Sequence, residues 1–179
     1  MKQINVLQYT KLSEVDKLPY VMLFTSLKAK EWLKIDINKL TYNEVRNIFK
    51  RLSTASEVED VFKIFEMALK IEEIQFYELP LQKFFQIKKY LNNYFVNLQK
   101  KETQLLQTIS EDIGIWEMAG GDSLNEFGDV LPLSQLAKIY GGYPFDYGEK
   151  KYIEIIYLLR MNNVQSKVEA EYQKLKSKK

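Results

Sequence analysis

Three carboxylates, Asp122, Glu126 and Asp129, fall within the run Gly120-Gly121-Asp122-Ser123-Leu124-Asn125-Glu126-Phe127-Gly128-Asp129. Hard cations prefer oxygen ligands, so this is where the sequence offers Mg²⁺ or Ca²⁺ a candidate site. The spacing is not that of an EF-hand loop, which needs ligands at alternate positions and a bidentate acid at its end. The same residue types also serve as a cap and a turn. In that reading, the favoured one, Gly121 ends one element, Asp122 or Ser123 caps a short helix and Gly128-Asp129 turns the chain.

A second cluster, Tyr140-Gly141-Gly142-Tyr143-Pro144-Phe145-Asp146-Tyr147, interleaves four aromatics with glycine and proline. Such rings can anchor a loop to a core, supply anchors at a protein interface, or stack on a ligand, in that order of expectation. Tyr143, Phe145 and Tyr147, with Phe84 and Phe85 further upstream, are the candidates for protein contact. The acidic groups Glu72/Glu73 and Glu57/Glu59/Asp60 read as dipole-complementing residues at helix starts rather than acid–base pairs.

The chain has no histidine and no cysteine in 179 residues. That removes disulfides, thiol nucleophiles, imidazole chemistry and zinc sites built on Cys or His, leaving carboxylates, Lys, Tyr and hydroxyls. The expectation is therefore no catalytic residues and no cofactor. Net charge is +2, from 26 basic and 24 acidic groups, and only Arg46, Arg51 and Arg160 carry the guanidinium fork that base and phosphate recognition favours. Nucleic acid is thus disfavoured as a partner. Lys88-Lys89 and Lys100-Lys101 read as solvated helix faces, with a phosphate- or acid-binding patch as the lesser alternative.

The elements that would position these residues follow from periodicity and caps. Ile4 and Val6, then Leu33, Ile35 and Ile37, alternate with polar neighbours and suggest a short two-stranded antiparallel ribbon. Ser13 opens a short helix that Pro19 interrupts, with a longer one expected from about Tyr20 to Leu33. Thr41-Tyr42-Asn43-Glu44 is a capping box, Ser56-Glu57-Val58-Glu59 repeats it, and the apolar stripes after each make residues 41–70 a helical hairpin. Pro80 suits the first turn of a helix that runs without Pro or Gly to about Thr108, carrying Phe84, Ile87, Leu91, Phe95 and Leu98. A second long helix is expected from about Glu149 to Lys176, with Tyr152, Ile155, Ile156, Leu159, Val164, Val168, Tyr172 and Leu175. Its apolar face thins past Met161-Asn162-Asn163, so its far end is expected to be exposed, frayed or waiting for a partner. The fold class is accordingly mainly α: a helical bundle with two long helices and the N-terminal ribbon.

All seven glycines lie between Gly114 and Gly148, and residues 110–148 hold one basic and seven acidic groups. The chain divides into an N-terminal helical region, 1–109, an acidic Gly-rich connecting region, 110–148, and a long C-terminal helix, 149–179, read together as one domain. No apolar window reaches the length of a membrane span, and Met1-Lys2-Gln3 is not followed by a signal-like apolar core. The expected location is cytoplasmic, with no membrane partner.

The run Trp32-Leu33-Lys34-Ile35-Asp36-Ile37-Asn38-Lys39-Leu40-Thr41-Tyr42-Asn43-Glu44-Val45, the helix after Ser56, and Leu79-Pro80-Leu81-Gln82-Lys83-Phe84-Phe85 leading into a long helix together resemble the small tail assembly chaperones of long-tailed bacteriophages. Leu133-Ser134-Gln135-Leu136-Ala137-Lys138-Ile139-Tyr140-Gly141-Gly142-Tyr143-Pro144, followed by Tyr152 to Leu159, is similar to their C-terminal half. The resemblance is one of pattern over about two thirds of the chain. It implies a non-enzymatic protein-binding role in the host cytoplasm, holding the helical tape measure protein until tail tube subunits assemble around it. The alternative is a virion structural protein, such as a head–tail connector, neck or baseplate subunit, with a homo-oligomeric ring among its arrangements.

Overall fold

The computed structural model describes residues 3–27, 34–54, 57–106 and 120–177. It is mainly helical, and no strand occurs among the described residues. The chain divides into two compact units: residues 1–36 with 47–99, and residues 37–46 with 100–179. Residues 37–46, grouped by composition with the N-terminal region, therefore pack in the second unit.

The first unit opens with α1 (Val6–Thr10) and α2 (Glu14–Thr25). The expected ribbon is not formed. Asn5 and Gln8 exchange side-chain-to-backbone hydrogen bonds of 2.9 and 3.1 Å, a capping box that commits Val6 to a helix. What pairing remains is an isolated bridge to Pro80, in which Val6 donates to the Leu79 carbonyl and Leu81 to that of Ile4. Ile37, assigned to the second strand, lies in a 3₁₀ turn (Ile37–Lys39), and Leu33 lies outside the described residues. Alternation over so few residues lost to a local cap.

Pro19 does not interrupt α2, which runs through it to Thr25. A proline there forfeits one backbone bond and crowds the preceding turn, costing about 3 kcal/mol in an unsupported helix. Three features outweigh it: the Ser13 cap, Glu14 and Asp16 in the first turn, and aromatic packing of Tyr20 on Tyr9 and of Phe24 on Phe85 at 6.2 and 5.6 Å.

Four more helices follow: α3 (Tyr42–Thr54), α4 (Val58–Leu69), α5 (Glu73–Glu78) and α6 (Leu81–Leu106). The Thr41–Glu44 capping box starts α3, with bonds of 2.9 and 3.2 Å. The second expected box rests on Ser56, outside the described residues, and Glu57 at the start of α4 makes no side-chain cap. The first unit's core is largely aromatic: Phe65 and Phe84 each pack on Phe76, with centroids 5.2 and 5.7 Å apart and rings nearly perpendicular. Edge-to-face contacts of this kind add about 0.5–1.5 kcal/mol each beyond area burial.

The second unit contains the 3₁₀ segment Gly121–Phe127, α7 (Val130–Tyr140), α8 (Pro144–Gly148) and α9 (Tyr152–Ser177). It also takes the first turn of α3 and the last of α6. Its core is built from Leu40, Tyr42, Val45, Leu133, Leu136, Tyr152 and Ile155. Among the described residues no helix is long and apolar enough to cross a membrane.

Candidate protein-binding surface

The first turn of α9 is tied down from several directions. Tyr152 N–H donates to the Leu40 carbonyl and Tyr42 N–H to that of Lys150, both at 2.9 Å, in an isolated bridge of Thr41 with Lys151. Just before it, Gly148 lies against Asn43 so closely that a Cβ would come within 2.4 Å of the side-chain amide, so a larger residue would have to push that amide aside.

Below this bridge lies a buried polar cluster. Glu102 on α6 is 8% exposed, accepts from the Arg46 guanidinium, and accepts from the Tyr152 hydroxyl at 2.8 Å. Arg46 also stands over the Tyr42 ring, 4.7 Å from its centroid, and its Nε is 3.2 Å from Asp129. Burial pushes the Tyr152 hydroxyl far above the usual tyrosine range, with the Glu102 charge and hydrogen bond adding to the effect. Burial raises Tyr42 as well, against the pull of Arg46. For Arg46, burial works against the charge, but Tyr42 and Glu102 outweigh it and leave the pKa raised. A phenol that keeps its proton and an arginine that never loses its own make a poor acid–base pair at neutral pH. The cluster is a clasp that joins α3, α6 and α9 by charge-assisted bonds.

Beyond the clasp, α9 carries two apolar faces. Tyr152, Ile155, Ile156 and Leu159 point into the unit and are buried. On the other side Ile153, Tyr157, Met161, Val164, Val168, Tyr172 and Leu175 are all exposed, Tyr157 by 68%, Val168 by 64% and Tyr172 by 61%. Their spacings of four, four, three, four, four and three form an 11-residue repeat, which keeps the side chains in line along one face of the helix. The Tyr140 hydroxyl donates to Asn162 at 2.7 Å and the Asn163 amide to the Leu106 carbonyl at 3.1 Å. Every residue from Val164 to Ser177 is exposed.

The other sequence candidates are scattered. Asp122 and Glu126 are exposed on the 3₁₀ segment, while Asp129 is turned to Arg46. Among the described residues no group of three or more acidic side chains is placed to hold a metal ion. Ser123, not Asp122, makes the local bonds there, through its hydroxyl and amide to the Gly120 carbonyl.

Of the five contact candidates, Phe84 and Tyr147 are core residues. Phe84 sits between Phe65 and Phe76, and Tyr147 is buried with its hydroxyl donating to the Gly141 carbonyl at 2.7 Å. Phe85 is half-buried between Tyr9 and Phe24. Tyr143 and Phe145 remain outside, 62% and 53% exposed, their rings 5.4 Å apart. The outward residues Ile153, Tyr157 and Met161 escaped the sequence reading because the inward stripe of the same turns masked them. The 11-residue spacing was the signal that could have separated the two faces.

Compared with family models, with curated proteins and with solved structures, the chain matches none.

Proposed function

We propose that this protein works by contact rather than catalysis, as a phage morphogenesis factor of the tail assembly chaperone kind. In this reading it binds the helical tape measure protein in the host cytoplasm. The observation that carries the proposal is the apolar stripe along the outer face of α9. Exposed apolar side chains in line are how one helix offers itself to another, and a polar segment of about 14 residues is marginal as a lone helix in water. A partner laid along the stripe supplies the burial that α9 lacks beyond Asn163.

A permanent virion role is the second reading, and the exposed Tyr143–Phe145 pair favours it. Head-to-tail rings need two different contact surfaces on each subunit, and this pair with the α9 stripe offers two. Co-expression with the tape measure protein that the chaperone reading expects to be encoded beside it, followed by affinity purification and by mass spectrometry of finished particles, separates the readings. The chaperone reading expects a co-purifying complex and no copies in the particle. Ring-like copy number in particles, without a tape measure complex, overturns it.

A further inference from the structure

A pocket of about 440 Å³ opens in the first unit, between α2, α3, α4 and α6. Its floor is apolar: Phe24, Ile64, Phe65 and Leu91, with Leu52 on one side. The size lies in the range of about 300–1,000 Å³ typical of small-molecule sites.

Polar groups are confined to one wall. Phe85, Lys88 and Asn92 recur at helical spacing on α6, with Lys89 beside them. Lys89 already donates to the Leu27 carbonyl at 2.9 Å. Lys88 makes no hydrogen bond or ion pair among the described residues, and its side chain reaches solvent at the pocket's edge.

We propose that this pocket binds a single-chain amphiphile ending in one anion, with its hydrocarbon tail among Phe24, Ile64, Phe65 and Leu91 and its carboxylate on the Lys88 ammonium. An apolar cavity alone selects only for grease. A cation at its mouth selects the sign of the head group and fixes the end from which the chain enters. Burial lowers the Lys88 pKa and no acidic group among the described residues offsets it, so an arriving carboxylate supplies a counter-charge. The site lies in the first unit, so it stands or falls independently of the stripe on α9.

The test is calorimetric titration of the full chain with dodecanoate, and with dodecanol and dodecyltrimethylammonium as neutral and cationic controls. Dodecanoate is expected to saturate at one site, and dodecyltrimethylammonium not to bind. Lys88→Gln should weaken dodecanoate by about tenfold or more while leaving dodecanol unchanged, as loss of a charge-assisted bond requires. Leu52→Trp, which fills the pocket from a half-buried wall position, should abolish both with the helical circular dichroism intact. Dodecanoate affinity should also fall at alkaline pH, beginning below the ordinary lysine range, where Lys88 loses its proton; dodecanol should show no such fall. No saturable binding of dodecanoate, equal binding by Lys88→Gln, or equal affinity for the cationic control overturns the proposal. These outcomes are read on a surface substitution that leaves the core untouched, even if Leu52→Trp fails to fold.

Discussion

The helices α6 and α9 have the same length, 26 residues, and use their apolar side chains in opposite ways. On α6 one stripe, Leu81, Phe84, Ile87, Leu91 and Phe95, is buried, and at its far end the same face presents Glu102 to the clasp. On α9 the inward stripe stops at Leu159, while the outward one continues in the open to Leu175. The first helix is spent on its own fold. The second is held firmly at one end and leaves about four turns of apolar surface over. Exposed apolar residues scattered singly need no explanation, but a continuous line of them at a helical repeat does.

The sharpest way to break this contrast is at the clasp. Arg46→Met leaves the Glu102 carboxylate buried without its cation and should cost about 3 kcal/mol or more in urea unfolding, with Glu102→Gln in the same chain restoring much of it. If Arg46→Met were neutral, α9 would not be anchored as described. On α6, Leu91→Ala removes a side chain that is 1% exposed and should cost about 2–5 kcal/mol by the same measurement.

High pH tests the clasp from another side. Tyr152 and Tyr42 have raised pKa values in the fold, so the native state keeps protons that the unfolded chain releases above pH 10.0. Their stabilising effect is complete below that pH and is lost as pH rises through it, by about 1.4 kcal/mol per pH unit for each tyrosine. Tyr152→Phe should flatten the alkaline limb of the stability curve; an unchanged limb would contradict the assignment. Smallest of all should be Val168→Ser and Tyr172→Ser, within about 0.5 kcal/mol of the parent, because both side chains already face water. In the proposed function these two nevertheless abolish capture of the tape measure protein, so stability and binding separate on α9.

Local signals were legible where one device dominated. Thr41 and Glu44 announce their capping box and form it. Short alternation misled at Ile4 and Val6, since two apolar residues cannot outvote a side-chain cap at Asn5. Pro19 misled because a proline's cost is local whereas the aromatic packing of Tyr20 and Phe24 is tertiary and invisible in the sequence. The clasp was hidden for the same reason: Arg46, Glu102 and Tyr152 are brought together from three helices, and nothing in their spacing links them. The contact surface was half legible. Val164, Val168, Tyr172 and Leu175 read as the thinning end of one apolar face, whereas burial, in agreement with the 11-residue spacing, shows that the residues continuing it upstream are Ile153, Tyr157 and Met161 rather than Ile155 and Leu159.

The most direct test of the central claim is hydrogen–deuterium exchange of the full chain, alone and with the tape measure protein added in excess. Alone, amides from Val164 to Ser177 should exchange at the shortest times while those of α6 between Leu81 and Phe95 stay protected. With the tape measure protein, protection should extend along α9 to Leu175. Exchange past Asn163 that is unchanged by the partner, or already as slow as α6 in the dilute chain alone, would contradict a surface left open for binding.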